Sequence, residues 1–188
     1  ADIAVYDMVA AYNTFPSRGV YIAPYFVTRI EDDLGNVIGE FYPQKREAIG
    51  EDTAYLMANL MQGVVTGGTG VRLRYKYKLH GEIAGKTGTT NKNADGWFIG
   101  YTPTLTAGIW AGAENQNIHF QSTSLGGGAN MALPIWGLFM QKVLADGTLG
   151  ISASDKFTPS GKRVDLSCTG SETYAGGGPS DEESLFFD

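Results

Sequence analysis

Three strand-like runs follow one another in the middle of this chain with very little between them, and that spacing restricts the fold more than any other feature. They are Glu82 to Thr90, Gly96 to Tyr101 and Thr106 to Gly112, the last two joined around Thr102-Pro103-Thr104. A parallel crossover needs a dozen residues or more, so consecutive strands this close must pair antiparallel. Helical periodicity lies on both sides of them. The fold class that follows is α+β, an antiparallel sheet flanked by helices.

Upstream, Val5, Met8, Val9 and Tyr12 recur at helical spacing and predict an amphipathic helix over 2–14. Tyr21 to Ile30, the turn Asp33-Leu34-Gly35-Asn36 and Val37 to Tyr42 predict a hairpin. Glu51 and Asp52 open a second helix, where the dipole favours acids, and Met57, Leu60, Met61 and Val64 give it one apolar face until Gly67-Gly68. From Val71 to Leu79 apolar and basic residues alternate strictly, which predicts an extended segment with one cationic face from Arg72 to Lys78. Gly126-Gly127-Gly128 reads as a flexible connection into a last helix, with Pro134 in its first turn and Ile135, Leu138, Phe139 and Val143 on one face. Residues 1–150 form the folded portion, and 151–188 read as a Gly-, Ser- and acid-rich tail.

Composition narrows the function. Among 188 residues the formal net charge is −6, which argues against nucleic acid or anionic lipid as partner. Cys168 is the only cysteine, so no internal disulfide is possible. His80 and His119 lack metal-ligand spacing, and no cofactor is expected. No run is apolar enough to span a bilayer, and the start at Ala1 has neither an initiator methionine nor the pattern of a signal peptide. The chain therefore reads as a mature protein or, more simply, as a piece of one.

The stretch that carries chemistry is Ile83-Ala84-Gly85-Lys86-Thr87-Gly88-Thr89-Thr90. On a strand, Thr87 and Thr89 project from the same face, and Gly85 and Gly88 remove side chains that would keep a ligand off the backbone. A ligand carboxylate beside this strand could accept both hydroxyl hydrogen bonds, with the Lys86 ammonium adding attraction. A nucleotide phosphate loop is the competing reading of Gly81 to Thr87. It fails because only three residues separate its glycines and because another strand, not a helix, follows.

The same residues match the Lys-Thr-Gly element that accompanies S-x-x-K in penicillin-recognising serine enzymes. Around them, further blocks in order resemble the class A (multimodular) penicillin-binding proteins over most of residues 1–145. They include Ala10 to Phe15, Gly19-Val20-Tyr21, Pro24-Tyr25-Phe26 and Thr53 to Met57. Gln62 to Val65, Gly68-Thr69-Gly70, Ala84 to Asn91, Trp97 to Pro103 and Pro134-Ile135-Trp136 complete the series. The resemblance implies the C-terminal part of a D,D-transpeptidase domain of the serine β-lactamase superfamily. Such an enzyme cross-links peptidoglycan stem peptides through a serine acyl-enzyme at the extracytoplasmic face of a bacterial membrane. It implies the D-Ala-D-Ala end of a stem peptide and β-lactams as partners. It also implies Lys86 and Thr89 as catalytic residues and Thr87, Gly88, Thr89 and Thr90 as substrate-binding ones.

One departure matters. No serine here has lysine three residues on, and there is no S-x-N. In the family both elements lie upstream of the region matched, so the nucleophile is expected from sequence preceding Ala1, with that upstream portion present as another chain or in the parent protein. This chain alone should not turn over. A non-catalytic peptide-binding or β-lactam-sensing module is the alternative.

Overall fold

The computed structural model describes residues 3–161. In chain order the elements are α1 (Val5–Tyr12), β1 (Val20–Ile22), β2 (Arg29–Glu31), β3 (Val37–Glu40), β4 (Lys45–Glu47), α2 (Glu51–Thr66), α3 (Arg72–Tyr75), β5 (Ala84–Thr89), β6 (Asp95–Tyr101), β7 (Thr106–Gly112), α4 (Thr123–Gly126) and α5 (Ala132–Ala145). The last three strands form the expected antiparallel sheet in the order β5-β6-β7, and β1–β4 and β2–β3 make two small antiparallel ladders. The α+β class read from the sequence holds.

Cross-strand register shows how helices cover both faces. Gly85, Gly100 and Ala107 stand opposite one another, and so do Lys86, Ile99 and Gly108. Side chains alternate along a strand, so these two rows point to opposite faces. On the first face, Trp136 of α5 packs edge-to-face on Phe98 at 5.3 Å and its indole N–H donates to the Ala107 carbonyl at 3.0 Å. A methyl group at Gly100 would lie 2.6 Å from the Trp136 ring, so only glycine lets the helix come this close. On the second face α1 rests on Gly108 through Val9. The helix α2 runs past β5, with Ala58 in the cluster on one face and Val65 in the cluster on the other.

Several local expectations fail, for related reasons. Helices α2 and α5 do not bury the apolar rows that periodicity picks out. The first turns Ala54, Ala58 and Val65 inward and leaves Leu60 exposed; the second turns in Ala132, Leu133, Trp136, Gly137, Met140 and Val143 and leaves Ile135, Leu138 and Phe139 exposed. Both helices are apolar on more than one side, and packing selects the face: in α2 the one with Ala54 and Ala58, in α5 the one where Trp136 meets Gly100 and Gly137 meets Tyr77. The alternating segment 71–79 is not extended. Its first part is α3, and the guanidinium groups are used within the fold, Arg72 on the Ala129 carbonyl and the Asn130 side chain, Arg74 on the Leu79 carbonyl. Tyr21 to Ile30 is broken at Pro24, which has no N–H to give a ladder. Its first half, β1, pairs with β4, a strand the sequence reading lacked, and only Arg29–Glu31 pairs with β3. The turn between them closes on Asp32, whose carboxyl is held below its ordinary value by the Asn36 side-chain amide and by backbone N–H donors.

The segment after Gly150 also departs from the tail expected there. Phe157 is only 7% exposed and packs on Tyr101, while its N–H donates to Glu82 and Lys156 pairs with the same carboxylate. Asp155 accepts from Thr104. Cys168 and the glycine- and acid-rich stretch lie outside the described residues. Tyr101 itself is fully buried, stacked on Phe15, and burial pushes its phenol up, with Tyr12 adding to the effect. Phe157→Ala is therefore expected to lower unfolding free energy by about 3 kcal/mol in a urea titration; a solvated tail would give no change.

Candidate functional site

The Lys-Thr-Gly segment is β5, and β5 is paired on one side only. Residue pairs from Ala84↔Tyr101 to Thr89↔Gly96 join it to β6, and among the described residues no strand lies along its other edge. The Thr90 N–H donates to the Asp95 carbonyl at 3.1 Å. Backbone groups of an antiparallel strand alternate in direction, so Lys86 and Gly88 also spend theirs on β6, whereas those of Thr87 and Thr89 point to the open edge. Lys86 agrees with this assignment: its ammonium reaches the Thr87 carbonyl at 2.8 Å, a group the ladder does not use. The open edge thus presents the N–H groups of Thr87 and Thr89 to whatever lies beside it.

Side chains surround that edge from both faces. Lys86, Gly88 and Thr90 share one face with Trp97, Ile99 and Trp110, and these residues line a cleft of about 610 Å³ closed on its far side by Val5, Met8 and Tyr12 of α1. Thr87 and Thr89 occupy the other face. The Thr87 hydroxyl lies 2.9 Å from that of Thr69, and the Thr89 hydroxyl accepts from the Gly128 N–H at 3.0 Å. Thr90 closes the strand end, its hydroxyl taking the Asp95 N–H at 2.9 Å and donating to the Asp95 carboxylate. Lys86 and Thr89 are exposed and Thr87 is half-buried, so all three can meet a ligand.

The glycine run 126–128 is part of this construction and not a slack linker. A methyl at Gly126 would sit 2.6 Å from Asn93, one at Gly127 would sit 2.7 Å from the Thr123 carbonyl, and one at Gly128 would sit 2.3 Å from the Gly88 carbonyl. Backbone laid directly on backbone is what brings the Gly128 N–H to Thr89.

A sheet edge with two outward N–H groups, two hydroxyls and an ammonium suits an anionic peptide or peptide mimic that extends along the strand. Comparison with known proteins leads to the same place. The family model described as the penicillin-binding protein transpeptidase domain matches residues 2–126. The chain belongs to that family. Penicillin-binding protein 1A of Aquifex aeolicus is 31% identical over 142 residues, which cover 76% of this chain and 19% of the relative. Its namesake in Clostridium acetobutylicum is 36% identical over 137 residues, covering 71% and 16%. The chain thus spans under a fifth of the length of these curated relatives. Among solved structures, penicillin-binding protein 1A of Haemophilus influenzae superposes with a TM-score of 0.70 at 21% identity, covering 78% of this chain and 27% of that one. PonA1 of Mycobacterium tuberculosis gives 0.63 at 25%, covering 81% and 40%. Both share the α+β architecture described above.

Within this transpeptidase fold the five site residues named from sequence stand together on one strand and its end. The structure adds two that sequence reasoning missed. Gly128 falls in the run that reads as a linker, and Thr69 lies in a matching block that carries no role of its own; the contact of each with β5 spans too much sequence for any local pattern to reveal. His119 does not lie on β5, and its ring is taken up with the neighbouring Phe120 carbonyl. Gly128→Ala should drive a methyl into the Gly88 carbonyl and separate Gly128 from Thr89. The expected result is a loss of about 1–3 kcal/mol in unfolding free energy and faster hydrogen exchange at residue 128.

Proposed function

We propose that this chain is the substrate-binding part of a peptidoglycan D,D-transpeptidase that works through a serine acyl-enzyme and is acylated by β-lactams. The observation that carries this reading is the open edge of β5, where the N–H of Thr89 and the hydroxyls of Thr87 and Thr89 lie around the line a bound peptide would follow. A stem peptide ending in D-Ala-D-Ala has a terminal carboxylate and a carbonyl one residue earlier. Charge-assisted hydrogen bonds from Thr87 and Thr89 hold the carboxylate, and the Thr89 N–H faces the oxygen of that carbonyl, where negative charge develops. Gly88 keeps the strand bare, and Thr90 fixes its end through Asp95.

In the reaction, a serine oxygen bonds to the penultimate carbonyl carbon while its proton passes to the lysine of an S-x-x-K element. The amide C–N bond breaks, and the departing D-alanine amine takes up a proton. An amine from a neighbouring stem peptide then displaces the serine oxygen and restores the hydroxyl. The serine and the S-x-N element come from sequence preceding Ala1 in the parent protein. Lys86 contributes positive charge and exchanges its present bond to the Thr87 carbonyl for one to the S-x-N element. The parent works outside the cytoplasmic membrane, held there through its N-terminal portion; no helix among the described residues is long and apolar enough to cross a membrane.

The test is labelling by a fluorescent penicillin, read on a denaturing gel, with the parent protein that includes the upstream serine. Thr89→Val and Lys86→Ala should each slow labelling by roughly 10- to 100-fold, the loss expected for one charge-assisted contact. A folded parent that takes no label would overturn the acyl-enzyme reading and favour a peptide-binding module instead.

A further inference from the structure

The threonine that touches Thr87 comes from a different part of the chain and has no part in the mechanism above. Thr69 lies just past the end of α2, between Gly68 and Gly70. The chain folds back there onto the last turns of the helix: the N–H groups of Gly67 and Gly68 both bond to the Gly63 carbonyl, and that of Gly70 bonds to the Val64 carbonyl at 2.8 Å. Methyl groups at Gly68 and Gly70 would come within 2.9 Å of the Val64 Cα and 3.1 Å of its carbonyl. Two glycines pressed onto Val64 thus fix the residue between them, and its hydroxyl is turned to that of Thr87, 2.9 Å away.

Burial does not require the contact that results. Thr69 is exposed and Thr87 only half-buried, so water could serve both hydroxyls and neither needs the other to avoid a desolvation cost. What the contact supplies is direction. An ionised carboxylate accepts hydrogen bonds and donates none. Once such a group lies against Thr87, the Thr87 proton must point to it, and the Thr87 oxygen is left to accept from Thr69.

We propose that Thr69 is a positioning residue for carboxylate recognition: its hydroxyl donates to the Thr87 oxygen and holds the Thr87 proton toward the ligand carboxylate. The inference rests on the transpeptidase reading of β5 and extends it to a residue outside that strand. Its consequence is a preference for an anionic terminus, because the Thr87 proton that Thr69 holds in place makes a charge-assisted bond to a carboxylate and only a weaker, neutral one to an ester.

The experiment measures acylation of the parent protein by benzylpenicillin and by its methyl ester, separating the precovalent dissociation constant from the acylation rate. With the free acid, Thr69→Val should raise the dissociation constant by roughly 3- to 10-fold, the worth of one neutral hydrogen bond, and leave the acylation rate nearly unchanged. Thr69→Ser keeps the hydroxyl and should behave as wild type. With the ester, a neutral and weaker acceptor, the Thr69→Val penalty should be clearly smaller than with the acid. Combined with Thr87→Val it should add nothing, since the two act as one unit. An equal penalty for acid and ester, full additivity with Thr87→Val, or a Thr69→Val protein that binds the acid as wild type does would each overturn the proposal. If the wild-type parent takes no label at all, the reading of β5 fails and this inference with it. Labelling that is blind to Thr69 sinks the inference alone.

Discussion

Hydrogen bonding on one side of a single strand is the constraint from which the rest of the structure follows. The strand β5 gives alternate backbone groups to β6 and keeps the others for its open edge. An unpaired edge invites another extended chain to join it, and proteins ordinarily cover or blunt such edges. Here the edge is furnished instead. Hydroxyls on one face, an ammonium on the other and N–H groups between them suit the edge to an extended anionic ligand.

Keeping that edge in place depends on close packing behind it. Gly100 lets Trp136 lie on the sheet, Gly137 lets α5 lie on Tyr77, and Gly128 lets one backbone rest on another at the end of β5. Each contact would collide if a single methyl were added. Abundant glycine in this sequence therefore marks close approach more than looseness, and the rigidity it permits holds Thr89 and its Gly128 partner in register. On the function proposed above, preorganisation of this kind is what the edge needs, because donors that must move into place lose most of their advantage.

Much of this was legible in the sequence, and the exceptions share a cause. Short connections between the three central strands dictated an antiparallel sheet, and the Lys-Thr-Gly run within its matching blocks pointed to the family. Periodicity failed where two solutions were open to it. Helix α5 has apolar residues on every side, so Ile135, Leu138 and Phe139 looked like a core face although Trp136, Gly137 and Met140 took that place. Alternation from Val71 to Leu79 imitated a strand because Leu73, Tyr77 and Leu79 are buried in a turn that happens to space them two or four apart. Contacts between distant segments left no local trace: Thr69 with Thr87, Gly128 with Thr89, and Phe157 with Tyr101 are visible only once the chain is folded.

The central claim is that the Thr87 and Thr89 amides face an open edge where a ligand lies. Residue-resolved amide hydrogen exchange of the parent protein, before and after acylation by a β-lactam, tests it most directly. The account predicts slow exchange at Lys86 and Gly88 in both states, fast exchange at Thr87 and Thr89 in the free protein, and marked protection of Thr89 once the acyl group is in place. Protection of Thr89 already in the free protein, or exchange there that acylation leaves unchanged, would contradict it.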